Sequence, residues 1–251
     1  MDNNSFRFFR NTQVIILGLC ISVATIASAV ILSSAFLRFQ KATRGVITVT
    51  GSANRPITSD YVVWLASFDI RDKDMAQGYK RLSGDLEKVK QYLLAKGIKP
   101  EELTIPQLST QQLYNKDKHG NDTNELIDYR LSQTIDVASL NVTKVTEISR
   151  MVTELIDQGV QVSSGAPQYL YRKLDELKLE MLGRATENAK QRAEQMAKAT
   201  GNHIGPIRSA KMDVFQIKPI TSTEVSDSGV NDVSAIDKMV TAVVSATFAI
   251  E

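Results

Sequence analysis

Asp175–Thr200 reads DELKLEMLGRATENAKQRAEQMAKAT, with Ala185, Ala189, Ala193 and Ala197 recurring every four residues. Side chains at i and i+4 stack on one helix face, so the four alanines form a single shallow ridge. Such a ridge lets the helix axis approach a sheet or another helix closely. Alanine is also the best helix former, and propensity alone accounts for part of the pattern. Asp175, Glu176 and Glu180 open the segment, where the helix dipole favours acids. Gly201 and Gly205 punctuate its exit.

Outward from this helix the chain alternates hairpins and helices. Gly45–Ala53 and Tyr61–Ile70 read as strands about an Asn54-Arg55-Pro56 turn, the second with Val62, Trp64, Ala66, Phe68 and Ile70 on one face. Asp74–Lys96 is a helix whose stripe is Met75, Tyr79, Leu82, Leu86, Val89 and Leu93, capped by Asp74 and stopped by Gly97. Leu103–Tyr114 and Leu126–Ala138 pair around a polar tip, Asn115–Glu125, in which His119 is a solvated loop residue. Asn141–Gln158 is a second helix, ended by Gly159, with Val142, Val145, Ile148, Val152, Leu155 and Ile156 inward. Val160–Arg172 is a strand bent at 162–167, Pro206–Ile217 another, Lys218–Ala235 a polar loop and Lys238–Ile250 a β-prone terminal strand. The order predicts an α+β fold, antiparallel hairpins packed with three long helices.

Val14–Leu37 (VIILGLCISVATIASAVILSSAFL) contains no charge. Its length as a helix, roughly 36 Å at about 1.5 Å per residue, crosses a hydrocarbon core of about 30 Å with some tilt. The expected anchor side chains are Val14, Ile15, Ile16, Leu17, Leu19, Ile21, Val23, Ile26, Val30, Ile31, Leu32, Phe36 and Leu37, after a short tail 1–13 and before a basic linker 38–44. A cleaved signal peptide is the rival, with Ala27-Ser28-Ala29 as its small-x-small site. The apolar run continues past that point, which favours an uncleaved span. Arg7 and Arg10 precede the span while Arg38, Lys41 and Arg44 follow it, so flanking charge does not orient it.

The net charge of +2 divides into +4 over residues 1–44 and −2 over the remainder. The folded part therefore lacks the basic surplus of a nucleic-acid binder. The single cysteine, Cys20, lies in the apolar segment and excludes an intramolecular disulfide framework. There is no phosphate-binding glycine loop, no G-x-S-x-G elbow and no calcium loop. His203, in Gly-Asn-His-Ile-Gly, reads as a helix-end residue. The expectation is a non-enzyme with no cofactor and no metal.

The ordered features resemble the SIMPL-domain family of mostly bacterial exported or membrane-anchored proteins. The resemblance rests on Ile47-Thr48-Val49-Thr50-Gly51-Ser52-Ala53, Lys96-Gly97-Ile98, Tyr129–Val137 and, most of all, Arg184–Ala197 running into Gly201–Gly205. It covers roughly residues 45–251, read as one domain. Pro56 and Asp60 stand apart where many relatives carry P-D-x-A, and no catalytic role attaches to that aspartate. The resemblance implies an α+β fold, a place on the periplasmic side of the inner membrane, a link to stress tolerance in some members, and self-association. It supplies no substrate.

Two functions follow as expectations. One is a single-pass, membrane-anchored assembly or interaction module with a lipid bilayer, a second copy of itself or another envelope protein as partner. Its candidate surfaces are the Ala185, Ala189, Ala193 and Ala197 ridge and the terminal strand with Val240, Val244 and Phe248, free to pair as an edge or already central in its own sheet. The alternative is a ligand-binding or enzymatic domain with a cleft near loops 115–125 and 218–235.

Overall fold

A computed structural model describes residues 17–36, 45–224 and 226–251. The class is α+β, with two sheets and four α-helices among the described residues, one of the four being an N-terminal apolar helix. By compactness the chain forms two units, Ser52–Ala185 with Asp213–Val243, and the described part of Met1–Gly51 with Thr186–Met212 and Val244–Glu251.

The larger unit is built on β2 (Tyr61–Asp72) and β5 (Asp122–Ser139), antiparallel from Val62↔Ser139 to Asp72↔Tyr129. β3 (Leu103–Thr104) and β4 (Ser109–Lys116) flank β5; β6 (Val162–Ser164) and β7 (Gln168–Leu170) flank β2. Period-two alternation puts Val62, Trp64, Ala66, Phe68 and Ile70 of β2 and Leu131, Ile135 and Val137 of β5 inside. Two helices supply Leu82, Val89 and Leu93 (α2, Met75–Ala95) and Val145 and Ile148 (α3, Val142–Met151) to the same core. Asp74 caps α2 by accepting from the Ala76 and Gln77 N–H groups, and Asn141 caps α3 through Lys144 N–H. Gly97 (φ 84°) and Gly159 (φ 82°) take the left-handed conformation that the helix exits require.

Four local expectations need correction. Met75 and Tyr79 are half exposed; the buried face of α2 begins instead at Gly78, where a Cβ would stand 2.8 Å from Leu131 Cδ1. Any larger residue there would force the buried Leu131 side chain to shift. The second long helix is in fact α3, ten residues, followed by a 3-10 stretch Val152–Gln158, with Ile156 exposed. There the Ser149 carbonyl accepts from Ser164 Oγ at 2.6 Å and the Met151 carbonyl from Tyr92 Oη at 3.1 Å, partners that compete with a regular helical ladder. The Leu103–Tyr114 strand is interrupted at Pro106, whose carbonyl is held by the buried Gln133 Nε2 at 2.8 Å. The Asn54–Pro56 turn does not form: β1 (Val46–Thr58) runs through it and the chain reverses at Ser59-Asp60.

The other sheet orders β1, β11 (Asp237–Ile250), β9 (Gln216–Pro219) and β10 (Val230–Asn231), with β8 (Ile204–Met212) also paired to β11. In the smaller unit, Val49 of β1 and Ala246 and Phe248 of β11 pack with Ala189 and Ala193 of α4 (Leu174–Ala199). In the larger unit α4 buries Leu177, Met181 and Ala185.

The helix α1 (Leu17–Phe36) is long and apolar enough to cross a membrane or to act as a signal sequence, with a mean hydropathy of 2.1. Leu17, Leu19, Ile21, Val23, Ile26, Val30, Ile31, Leu32 and Phe36 are all 56–70 % exposed, so no face is packed away. Val14, Ile15, Ile16 and Leu37, the tail 1–13 and the linker 38–44 lie outside the described residues. Three hydroxyls of α1 bond back to its own carbonyls: Ser22 to Gly18, Thr25 to Ser22 and Ser34 to Ile31, at 2.8–2.9 Å. Internal satisfaction of this kind is what a solvent without hydrogen bonds demands.

Candidate functional site

The residues expected to form an interaction surface are not on the surface. Ala185, Ala189 and Ala193 are 0 % exposed and Ala197 2 %; Val240, Val244 and Phe248 are likewise buried. The alanine ridge is used for packing inside the chain. β11 has β1 on one side and β9 and β8 on the other, so it is a central strand with no free edge.

The strands on either side of the expected polar tip 115–125 pair further than the sequence predicts and form a projecting ribbon. β4 pairs with β5 from Ser109↔Ser132 to Lys116↔Asp122, whereas β2 leaves β5 at Asp72↔Tyr129. Beyond that point β4 and β5 have only each other, and most of their side chains are exposed. The tip shrinks to 117–121. There the Asp117 carboxylate accepts from the Asn121 and His119 N–H groups at 2.9 and 2.8 Å, which holds it below the usual carboxylate range. Tyr114, Leu126 and Ile127 are exposed apolar side chains on this ribbon. The outer edge of β4 (STQQLYNK) has no strand beside it among the described residues, no proline, and no charge before Lys116. Sheet edges are ordinarily guarded against pairing by just those features.

The larger unit also holds a buried lysine that is not among the expected site residues. Lys238 is 3 % exposed, and its Nζ donates to the carbonyls of Tyr169 and Asp232, both at 2.6 Å. Burial pushes its pKa below the ordinary lysine range, against the attraction of Asp232. Burial raises the Asp232 pKa, but hydrogen bonds from Ser234 and Ala235 outweigh it and the carboxyl ends below its usual range. The ammonium fastens β7 and the 230–235 segment to β11. It also lines a cavity of about 260 Å³ with Ile57, Tyr61, Tyr171 and Ile217. The signal was present in the sequence: Lys238 shares the parity of Val240, Ala242 and Val244, the inward face of its strand. Asn231, Asp232 and Val233 of the 218–235 segment line this cavity, and no residue of 115–125 does. Among the described residues no three His, Cys, Asp or Glu side chains are placed to hold a metal ion.

These observations define an α+β protein with two sheets, an N-terminal apolar helix and a β-ribbon that extends from the larger unit. The chain belongs to the SIMPL family, described as proteins of unknown function (DUF541), whose family model matches residues 47–248. Comparison with curated proteins returns no match.

Proposed function

We propose that this chain is a single-pass inner-membrane protein whose SIMPL domain stands on the periplasmic side and serves as a non-enzymatic assembly module. A second copy of the chain is its partner. The reading is carried by the free, unguarded edge of β4 on a ribbon with both faces exposed. Two such edges brought together antiparallel make a self-complementary, two-fold interface, the commonest symmetry of soluble assemblies. The unpacked apolar face of α1 supports an uncleaved anchor, and family resemblance supports the extracytoplasmic side.

Light scattering of the detergent-extracted protein tests the assembly. The expectation is a dimer or larger species for the wild type and a monomer for Thr110→Lys/Gln112→Lys, which sets like charges opposite one another across the two-fold axis. A wild-type monomer at micromolar concentration overturns the reading. A link to stress tolerance acting at the membrane predicts that removal of residues 1–44 lowers survival under envelope stress; unchanged survival removes that link.

The Lys238 cavity favours a second reading, a small-molecule binding domain. A thermal-shift screen of envelope metabolites in which no compound stabilises the protein discards it.

A further inference from the structure

Backbone bonds fix the register of β1 on β11. Ile250 N donates to Gly45 O at 2.8 Å, and Thr48 Oγ1 lies 2.9 Å from Thr247 Oγ1. In an antiparallel pair with this register, odd-numbered residues of β1 direct N–H and C=O toward β11 and even-numbered ones direct them outward. Thr48 and Thr50 therefore present main-chain groups to the open side of the strand, where no further strand lies among the described residues. One contact confirms the parity: Arg192 Nη1 of α4 donates to Thr50 O at 2.8 Å, from that outer side.

A groove of about 700 Å³ runs along this edge, between Thr48–Thr50 and the α4 flank carrying Gln191, Arg192, Gln195 and Met196. Its volume lies within the range of ligand clefts, roughly 300–1,000 Å³. Two charges stand on its walls. Glu194 is met by Lys190 at 3.9 Å, whereas Arg192 has no carboxylate within 4.0 Å among the described residues. The guanidinium has five N–H donors and gives one to Thr50 O, so it keeps donors for an anionic group beside the outward main-chain groups of Thr48, while Glu194 on the same wall has Lys190 as its partner.

We propose that this groove binds an extended peptide, added antiparallel to β1 as a further strand, with an acidic side chain directed to Arg192. Thr48 supplies main-chain N–H and C=O to the ligand, and Arg192 retains Thr50 O while its remaining donors take the carboxylate. Alternate ligand side chains lie against Gln195 and Met196, which suits uncharged β-branched residues on either side of the acid. The register and the charge make the site selective in two separable ways, one read by the backbone and one by Arg192.

The test uses detergent-solubilised full-length protein and fluorescence anisotropy of a tagged, C-terminally amidated peptide, Val-Thr-Glu-Thr-Val. Saturable binding is expected, weakened by about tenfold or more when the glutamate is replaced by glutamine, the scale of a lost charged hydrogen bond. Arg192→Gln should reduce affinity similarly and abolish the preference for glutamate. Thr48→Pro deletes an outward N–H that its own sheet does not use, so binding should be lost while circular dichroism and the thermal midpoint stay near wild type. A probe N-methylated at glutamate reads the strand bonding from the ligand side without altering the protein, and it should also fail to bind. A glutamine probe with a free C-terminal carboxylate that binds as well as the glutamate probe overturns the side-chain assignment. Absence of binding at millimolar probe, or equal binding to wild type and Thr48→Pro, overturns the site. A change in particle size on Thr48→Pro without loss of peptide binding assigns the edge to self-pairing and overturns the peptide.

Discussion

Strand β5 lives in two environments along its 18 residues. From Leu131 to Ser139 it lies between β2 and its outer neighbours under two helices, with every second side chain buried. From Asp122 to Asp128 it has only β4 beside it, and Leu126 and Ile127 face solvent. Alternation of residue types continues across the boundary, but covering does not. Polar and apolar periodicity decides which face could be buried; whether a partner is there to bury it is decided by where β2 and the helices end.

The comparison is most readily broken by truncation at matched positions. Ile135→Ala should destabilise the larger unit by about 2–5 kcal/mol, while Ile127→Ala should stay within about 0.5 kcal/mol in urea unfolding. Equal losses at both would mean that the ribbon is packed.

Lys238→Met keeps the side-chain length and leaves the buried Tyr169 carbonyl and the partly buried Asp232 carbonyl without this donor, so a loss of about 3 kcal/mol is expected. The wild type should also respond to alkali. Lys238 holds its proton less tightly in the fold than in the unfolded chain, so this group's contribution rises with pH from its lowered folded pKa up to the ordinary value of 10.5 and is flat below. Urea midpoints across that window should climb for the wild type relative to Lys238→Met; parallel curves would assign Lys238 no such coupling.

Gly78→Ala puts a methyl 2.8 Å from Leu131 Cδ1 and 3.2 Å from Asp72 Cβ, with an expected cost of about 2 kcal/mol. Asn141→Ala removes the acceptor for Lys144 N–H where β5 hands over to α3 and should cost about 1 kcal/mol by thermal melting, the least of the losses expected away from the ribbon.

Much of the fold was legible because burial follows period: the inward residues of β2, the Leu131–Val137 alternation, the caps Asp74 and Asn141 and the stops at Gly97 and Gly159. What escaped depends on tertiary partners. Nothing local to Val152 announces that the preceding carbonyls will be taken by Tyr92 and Ser164. Nothing in Asn115–Glu125 reveals that strand pairing extends to Lys116↔Asp122 and leaves a five-residue tip. The alanine ridge was correctly legible as a close-packing device; only the partner was misassigned, because a face built for close approach looks the same whether the neighbour belongs to the same chain or to another. For the candidate site the informative mark was the parity of Lys238, a charge placed on the apolar side of its strand.

Pro56 gives a consequence of a different kind. The register that pairs Gly45 with Ile250 also joins Ser59 N–H to Ile236 O at 2.9 Å, so position 56 falls in the outward-facing series of β1. The N–H that proline lacks is one the sheet never uses, which is why the strand passes through it without a break. The same missing donor interrupts any foreign strand zippering along β1. Open strand edges invite runaway growth into fibres, and this one has a built-in end stop, which confines pairing to the few residues before it.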